Sequence, residues 1–465
     1  LVGGACGPEV VFLMAANSAV VARVADAGST ARSCDVSLFA ATAPSFAAPA
    51  LTPDDLCFLQ FTSGSTSTPK GVMVTHGNLV ANASAFLGPH GLDRNDDDKG
   101  VSWLPLFHDM GLIGFVLGTL VMDIPVVVLP TETFARSPGL WLETITKHRG
   151  TITYAPNFAY QLVTKRVKDR QLASLDLSTL RVAGSGAEPI RARTLQEFAT
   201  KFAPVGFRSN AFLPSYGMAE STLAITFHPH GTEMVVDRVD PKAMQDGVAR
   251  PSDADDALEV MGCGRGFPDH DVQVVDPEGQ PLPHRRVGQV VARGPSVTPG
   301  YFEAAEATAE ALRDGWLQTG DLGYFASDAG DPNAAPSPQL FICGRVKDLI
   351  IIRGANHYPQ DLEWSVADIE GVRRGNVFAF SVMNDGTEQL VMAAEAVSGD
   401  AERLRVEIAR KVQQEFGLSP AHVAICPVGT LPKTSSGKAQ RRKTKQLFEA
   451  GALDEHPHDP TPDAG

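Results

Sequence analysis

The sequence has little of what export, metal binding through cysteine or nucleic-acid binding would require. Only six of its 465 residues are cysteine, and none forms a C-x-x-C pair. This scatter fits reduced thiols in a cytoplasm better than a disulfide framework or a zinc site. The 54 acidic residues outnumber the 40 basic ones, giving a formal net charge of −14. An acidic balance argues against a nucleic-acid partner, which needs a basic surface.

Long apolar runs are also missing. The run VLGTLVMDIPVVVLP is interrupted by Asp123 and Pro125 and is too short to span a bilayer. The N-terminal segment has no basic start followed by an apolar stretch, so we expect no signal peptide. With 43% hydrophobic and 20% charged residues, the composition is that of a globular protein large enough for more than one domain. We therefore expect a cytoplasmic protein without a transmembrane segment.

Short strand-type runs alternate with helix-type segments along the first half of the chain. The runs are LCFLQFT (56–62), GVMVTH (71–76), VSWLPL, IPVVVLP, TITYAP and LRVAGSG (180–186). This rhythm predicts an α/β fold with largely parallel sheets. The segment NLVANASAFL predicts a helix, with Asn78 as a possible N-cap.

The pattern changes near residue 260. The segment that follows is rich in Gly and Pro with short alternating strands, which predicts a smaller β-rich subdomain. Residues 326–339 have no apolar face and read as a surface loop. From about residue 348, strands at NVFAFSV and QLVMAAEAV and an amphipathic helix at AERLRVEIARKVQQEF predict a compact α+β unit.

A candidate phosphate-binding loop lies at TSGSTSTPKG, residues 62–71. Backbone amides in a Gly/Ser/Thr turn form an anion-binding nest, and Lys70 can supply a positive charge. The Walker pattern fails here, because Pro69 replaces its second Gly, Gly71 replaces its Ser or Thr, and a strand follows in place of a helix. The alternative is a Ser/Thr/Gly loop that merely connects two strands.

Further motifs place polar residues in turns or directly after apolar runs, where functional residues often lie. They are SWLPLFHDMG (102–111), PSYGMAEST (214–222), LQTGDLG (317–323), GRVKDLIIIRGANHYPQDLE (344–363) and LPKTSSGKAQRR (431–442). Each also has a structural explanation. His108 could be a core histidine, Asp321 a turn residue and Glu220 a solvated helix start. Lys438 could belong to a basic helix face.

Together and in this order, the motifs resemble the ANL superfamily of adenylate-forming enzymes, over residues 50 to 445. Within it, LQFTSGSTSTPKGVMVTHGNL, SWLPLFHDMGLIG and GANHYPQDLE look like fatty acyl-AMP ligases. The resemblance implies a large adenylating domain at 1–343, with its N-terminal part missing and a β-rich subdomain at 260–343. It further implies a hinge at 344–348 and a small, mobile α+β domain at 349–465.

The resemblance also implies roles for single residues. Lys438 would reach the α-phosphate and the acyl carboxylate, Glu220 would hold Mg²⁺, and His108 would lie between the acyl and nucleotide sites. Tyr216 would stack on adenine, Asp321 would accept hydrogen bonds from the ribose, and Lys347 would be the hinge. The implied ATP- and AMP-binding residues are Thr62, Ser63, Gly64, Ser65, Thr66, Lys70, Gly186, Ala187, Glu188, Tyr216, Gly217, Met218, Asp321 and Arg345.

The function that follows is activation of a fatty or related carboxylic acid by ATP and Mg²⁺ to acyl-AMP, with release of pyrophosphate. The acyl group would then pass to the phosphopantetheine thiol of an acyl carrier protein, or alternatively of CoA. The insertion typical of fatty acyl-AMP ligases is lacking, because GYFEAAEATAEALRDGWLQTGD runs straight through. Its absence keeps CoA open as the acceptor. Two other classes stay open: a non-catalytic domain that binds nucleotide or acyl-adenylate, and a P-loop NTPase, which Pro69 and the strand after Lys70 disfavour.

Overall fold

The computed structural model describes residues 10–13, 32–35, 50–62, 69–327, 338–384, 386–397, 400–434 and 437–456. The chain divides into two compact units, Leu1–Thr52 and Pro53–Gly465. In the first unit, β1 (Val10–Leu13) and β2 (Arg32–Asp35) pair in parallel. Every feature described below lies in the second unit.

An antiparallel hairpin flanks the candidate phosphate loop. Strand β3 (Leu56–Thr62) has the predicted bounds, and β4 (Lys70–Thr75) starts one residue before the predicted run. The ladder places Thr62 opposite Lys70. The hairpin therefore fixes both ends of the loop, while residues 63–68 lie outside the described residues.

Helix α1 (His76–Leu87) follows the hairpin, and Thr75 is its N-cap. The Thr75 hydroxyl accepts a hydrogen bond from the Asn78 amide at 3.1 Å, and the Asn78 side-chain oxygen accepts one from the Thr75 amide at 3.2 Å. This reciprocal arrangement is a capping box. The prediction of Asn78 as N-cap was wrong, because Asn78 occupies the third helical position of that box.

A seven-stranded sheet forms the centre of the second unit. Its strands are β5 (Gly100–Ser102), β6 (Val126–Val128), β7 (Ile152–Ala155), β8 (Val182–Ser185), β9 (Phe212–Gly217), β10 (Ala224–Phe227) and β13 (Arg265–Gly266). Between β10 and β13 in the sequence, β11 (Val236–Val239) and β12 (Leu258–Met261) form a separate antiparallel pair. The strand order is β13-β10-β9-β8-β7-β5-β6. Strands β6, β5, β7, β8 and β9 run parallel, and β10 and β13 close one edge in antiparallel pairings. Parallel strands have their carboxyl ends at one edge, where binding residues collect.

Helices pack on this sheet through their apolar residues. They are α2 (Asp109–Leu112), α3 (Gly118–Val121), α4 (Thr131–Arg136), α5 (Gly139–His148), α6 (Asn157–Arg166), α7 (Asp169–Leu172) and α8 (Ala192–Phe202). A π-helical turn, Ile113–Leu117, joins α2 to α3. Helix α8 buries Leu195, Phe198 and Phe202 at helical spacing. The predicted α/β class is confirmed.

A five-stranded sheet follows. It contains β14 (Asp271–Val275), β15 (Gly288–Arg293), β16 (Leu312–Arg313), β17 (Trp316–Ala326) and β18 (Gln339–Arg345). Two short helices, α9 (Pro241–Gln245) and α10 (Ala305–Ala311), accompany it. The predicted loop at 326–339 is shorter than expected, because Ala326 and Gln339 are buried strand ends. Residues 328–337 lie outside the described residues.

The C-terminal segment has a core of its own, which includes Leu362, Met392 and Ile408. Its elements are β19 (Ile350–Ile352), β20 (Ala355–His357), α11 (Pro359–Val366), β21 (Val372–Asn384), β22 (Thr387–Ala396), α12 (Ala401–Phe416), β23 (His422–Cys426) and α13 (Arg441–Glu449). The predicted helix over 401–416 is confirmed at both ends. Among the helices of the described residues, none is long and apolar enough to cross a membrane.

Candidate active site

A cavity of about 2460 Å³ is lined by the central sheet, the five-stranded sheet and the C-terminal segment. It brings together residues that are far apart in the sequence. The predicted site residues that line it are Thr62, Lys70, His108, Gly186, Ala187, Glu188, Tyr216, Gly217, Met218, Glu220, Asp321, Arg345, Lys347 and Lys438. The remaining predictions, Ser63, Gly64, Ser65 and Thr66, lie outside the described residues.

Lys70 is held at the edge of this cavity by the segment around residue 301. Its ammonium group lies 5.2 Å from the centre of the Tyr301 ring, a cation–π contact. The backbone fixes this approach, since the Phe302 amide donates to the Gly71 carbonyl at 2.8 Å and the Met73 amide to the Gly300 carbonyl at 2.9 Å. The Lys70 charge is thus presented beside the candidate phosphate loop.

Tyr301 also fixes Glu220. The tyrosine hydroxyl donates to Oε1 of Glu220 at 2.7 Å. Burial raises the pKa of Tyr301, and the negative charge of Glu220 raises it further, so the hydroxyl keeps its proton. The backbone of Glu220 is held as well, because Thr298 donates to its carbonyl from both the amide and the hydroxyl. Sequence reasoning missed Tyr301, although the GYF segment was available as a signal.

The Glu220 carboxylate suits a magnesium ion carried by a phosphate substrate. Oε2 is left for a metal when Oε1 accepts from Tyr301. Within the described residues there is no cluster of three or more His, Cys, Asp or Glu side chains that could hold a metal. Mg²⁺ usually takes one or two protein carboxylates and completes its shell with phosphate oxygens and water. The Glu220 carboxylate could therefore serve as the one protein ligand of such an ion.

Asp321 joins three strands at the cavity wall. Its Oδ2 accepts from the Tyr216 hydroxyl at 2.7 Å, and its Oδ1 accepts from Nε of Arg345 at 2.9 Å. The sheet brings this about, because Asp321 on β17 pairs directly with Arg345 on β18. Burial, and then the charge of Asp321, raises the pKa of Tyr216. The same charge raises the pKa of Arg345. The three side chains form a preorganised polar group.

The turn after β8 lies against β9. A Cβ added at Gly186 would be 2.9 Å from the Ser215 hydroxyl, so this close approach favours glycine. The next residue, Ala187, has φ +70°, in the left-handed region that is strained for a non-glycine residue. Glu188 then accepts a hydrogen bond from the Phe158 amide at 2.7 Å. Burial raises the pKa of Glu188, and that hydrogen bond and the positive charges of Lys433 and Lys438 oppose the shift.

His108 and Asp109 start helix α2 and both line the cavity. Nδ1 of His108 lies 2.6 Å from Oδ1 of Asp109, and the Met110 amide donates to the same oxygen at 2.7 Å. Burial would raise the pKa of Asp109, but these hydrogen bonds and the charges of His108 and Lys438 lower it below its ordinary value. Asp109 is therefore a carboxylate. It was part of the quoted motif but not of the predicted site.

Lys438 comes from the C-terminal segment, and its backbone is hydrogen-bonded to Thr434. The Thr434 amide donates to the Lys438 carbonyl at 2.9 Å, and the Lys438 amide donates to the Thr434 hydroxyl at 3.0 Å. Gly437 has φ +86°, and a Cβ there would meet the Phe158 ring at 3.5 Å. Gly437 thus lies against the start of α6, and Lys438 is close enough to act on both Asp109 and Glu188.

Arg441, three residues after Lys438, is a third residue that sequence reasoning missed. Its guanidinium group binds both oxygens of Glu363, at 2.6 and 2.7 Å, and it binds Asp348 at 3.2 Å. Burial opposes the charge of Arg441, but the two carboxylates outweigh it and raise its pKa. Nearby, Lys347 forms an exposed ion pair with Glu310 at 3.4 Å. Nothing in sequence spacing connects residues 348, 363 and 441.

Comparison with known proteins gives a consistent result. Residues 5–302 match the family of AMP-binding enzymes. The chain is 42% identical over 413 residues to a putative acyl-CoA synthetase of Caulobacter vibrioides, covering 87% of this chain and 70% of that protein. It is 36% identical over 429 residues to the medium-chain-fatty-acid–[acyl-carrier-protein] ligase JamA of Moorena producens, covering 88% and 70%.

Solved structures agree with these relatives. One from a study of fatty acyl-adenylate ligases from E. coli and L. pneumophila superimposes with a TM-score of 0.88 at 35% identity. The match covers 97% of this chain and 80% of that structure. The predicted fold and the expectation of an adenylate-forming enzyme are confirmed.

Proposed function

Because this chain belongs to the family of AMP-binding enzymes and is an adenylate-forming ligase of the kind that activates fatty acids, we propose that it completes a two-step reaction. In the first step the acid reacts with ATP to give acyl-AMP and pyrophosphate. In the second step the acyl group passes to the phosphopantetheine thiol of an acyl carrier protein.

The observation that carries this proposal is the position of Lys438. It lines the same cavity as His108, Asp109 and Glu188, although more than three hundred residues separate it from the first two. The ammonium group of Lys438 interacts with these two carboxylates and can also attract a further anion. The acyl carboxylate and the α-phosphate of the substrates are such anions. We therefore assign Lys438 to the reacting groups.

The chemistry of the first step needs charge compensation more than proton transfer. A carboxylate oxygen attacks the α-phosphorus, the bond from that phosphorus to the bridging oxygen breaks, and pyrophosphate leaves with the electron pair. Negative charge accumulates on phosphate oxygens in the transition state, and fixed cations lower that barrier. Lys438 would stabilise charge at the α-phosphate and Lys70 charge on the leaving group. Mg²⁺, held through Glu220, would add charge neutralisation at the phosphates.

The nucleoside would be bound by the group around Asp321. A carboxylate has about four acceptor positions, and the contacts with Tyr216 and Arg345 occupy two of them. The other two suit the vicinal hydroxyls of ribose. Tyr216 would then present its ring to adenine, beside the turn formed by Gly186, Ala187 and Glu188.

In the second step the thiol sulfur attacks the acyl carbonyl, and the carbon–oxygen bond to AMP breaks. The thiol loses its proton and AMP leaves as an anion. Similarity to an acyl-carrier-protein ligase favours a carrier protein as acceptor. CoA is the second candidate, and it is favoured by the missing insertion. From Tyr301 to Thr319 the chain forms α10, β16 and the start of β17 without an added segment.

Two measurements test the proposal. Exchange of labelled pyrophosphate into ATP, run with carboxylic acids of rising chain length, should depend on a fatty acid and reveal the preferred length. Thioester formation should then be compared between a holo acyl carrier protein and CoA. Absence of acid-dependent exchange would refute the first step, and faster transfer to CoA than to the carrier would refute the choice of acceptor.

A further inference from the structure

Exposed basic side chains line the edge of the cavity, on three elements. We call this set the cationic rim; it consists of Lys165, Arg166, Lys168, Arg373, Arg374, Arg442 and Lys443. The first three lie at the end of α6 and just after it, the next two on β21, and the last two on α13. A positive edge is notable in a chain whose net charge is −14.

Helix α13 carries positive charge at its N-terminal end, where positive charge does not stabilise a helix. Its sequence RRKTKQLFE places cations in the first turn, which contains no acidic residue. The N-terminal end of a helix dipole is itself positive, so cations there are unfavourable for folding. Arg441 is explained by its ion pairs with Glu363 and Asp348. Arg442 and Lys443 belong to no ion pair within the described part of the chain.

Some surface cations on other helices have an acidic partner nearby. On α12, Arg403 lies 2.8 Å from Glu407 and Lys411 lies 2.5 Å from Glu415, each pair at i,i+4 spacing. Helix α6, NFAYQLVTKR, has no acidic residue with which Lys165 or Arg166 could pair. Lys165 and Arg166, like Arg442 and Lys443, therefore have no ion-pair partner within the described residues.

Acidic side chains at the rim do not cancel this charge. Asp368 is shared, because it lies 3.1 Å from Arg191, 3.6 Å from Arg193 and 2.9 Å from Arg374. Arg373 pairs with Glu395 at 2.6 Å. Arg193 also pairs with Glu197 at 2.9 Å, so two carboxylates face three guanidinium groups and one positive charge is left in excess, with donors still available on each arginine.

We propose that the cationic rim is the docking surface for a negatively charged carrier protein that presents the phosphopantetheine thiol. The inference rests on the proposed transfer to such a thiol. The cavity is continuous from the rim to His108, Asp109 and Lys438, so a flexible arm anchored outside can deliver its thiol to the reacting groups. The few phosphates of CoA would engage one or two of these cations, whereas cations spread over α6, β21 and α13 match the wider face of a protein.

Charge reversal tests the proposal at two separate places. One variant carries Lys165→Glu with Arg166→Glu, and the other Arg442→Glu with Lys443→Glu. The control carries Lys242→Glu with Arg286→Glu, exposed cations outside the cavity lining. Each protein is assayed for pyrophosphate exchange, and for acyl transfer to CoA and to a purified holo acyl carrier protein of net negative charge.

Both rim variants should raise KM for the carrier about tenfold or more, because charges at the edge of an interface change the association rate and its salt dependence. Exchange and transfer to CoA should be unchanged, and the control should behave like the parent protein. An unchanged KM for the carrier would overturn the proposal, and so would an equal loss with CoA. If one rim variant also loses pyrophosphate exchange, the other rim variant becomes the test. If both variants lose pyrophosphate exchange, the rim acts in adenylation and the docking role is overturned. Failure of the parent protein to acylate any carrier, with exchange intact, would instead refute the proposed acceptor.

Discussion

Lys438 shows at the scale of a single residue how one charge is shared among several carboxylates. It acts on Asp109 and Glu188 in the protein alone, and the proposed chemistry adds the substrate carboxylate and the α-phosphate. Lys438→Ala should retain ATP binding, since Lys70 and the Asp321 group are untouched. It should lower pyrophosphate exchange by about 10²–10³-fold, the size of effect of one lost transition-state donor.

Calorimetric titration with ATP and the exchange assay check this prediction together. Lys411→Ala is the matched control, because Lys411 pairs with Glu415 on α12, away from the cavity. Near-parental exchange in Lys438→Ala would contradict the role assigned to this lysine.

Asp361, which also lines the cavity, is expected to make folding depend on pH. Burial, and then the negative charge of Glu363, raises the pKa of Asp361 to about 7. An unfolded aspartate titrates near about 4. Between these values the folded protein holds a proton that the unfolded chain has lost, so stability falls as pH rises through that window. The contribution is at most about 1.4 kcal/mol per pH unit.

Urea unfolding at pH 4.5, 5.5 and 7 measures this slope. Asp361→Asn should make the profile flatter and gain stability relative to the parent protein as the pH increases. Asp255→Asn, an exposed position, should leave the profile unchanged. A parental slope in Asp361→Asn would show that another group titrates in this range.

At the scale of elements, Arg441 links helices α11 and α13 to the turn at Asp348. All three side chains are largely buried, with 15%, 11% and 16% exposure for Arg441, Glu363 and Asp348. Arg441→Met would leave two buried carboxylates without their partner, a change that costs about 3–5 kcal/mol for a buried pair. Arg441→Lys should recover part of this loss, because it restores the charge without the bidentate geometry.

Chemical denaturation compares these variants with Arg403→Met, which removes an exposed pair worth less than about 1 kcal/mol. Equal stability of Arg441→Met and Arg403→Met would show that the Arg441 contacts do not hold these elements together.

Elements with a clear period were predictable from sequence, and those fixed by partners far away were not. The 3.6-residue pattern of α12 and the apolar run of β3 gave their bounds, because local burial decides both. Asn78 was assigned the wrong capping position, since Thr75 is an equally good cap and the choice depends on the chain around it. In α1, Asn78 also donates to the carbonyls of Pro295 and Val297, contacts that no local pattern reveals.

At the scale of the whole molecule, Asp368 connects the C-terminal segment to helix α8, which packs on the central sheet. It contacts Arg191 and Arg193 at the start of that helix. We expect Asp368→Asn to slow pyrophosphate exchange about threefold to tenfold, because Lys438 would be held in the cavity by weaker contacts. Ion pairs of this exposure contribute about 1 kcal/mol or less each, so unfolding in urea should change little.

An exchange assay on Asp368→Asn and on the charge swap Asp368→Arg with Arg191→Asp checks this prediction. The swap should recover part of the rate. Asp271→Asn, which breaks an exposed pair with Arg293 within the five-stranded sheet, should have no effect. A swap no better than the single change would argue against a joining role for this pair.

The candidate residues could be predicted as a set because their motifs occur in a fixed order, and that order resembles one family. His108, Glu220, Asp321 and Lys438 were predicted in this way and line one cavity, and their roles stay predictions. Tyr301, Asp109 and Arg441 were missed because their importance lies in contacts with other motifs. Domain bounds and the hinge at Lys347 stay predictions, since they concern motion.

The cationic rim has a consequence for the end of the catalytic cycle. The carrier is still negatively charged after it has received the acyl group, so on the proposed docking it must leave the same positive charges that favour its arrival. At low ionic strength, product departure would therefore set the turnover number, and a rapid first turnover would precede a slower steady state. Added KCl should first raise the steady-state rate and then lower it, as screening weakens capture. A rate that only falls with salt would mean that departure is never limiting.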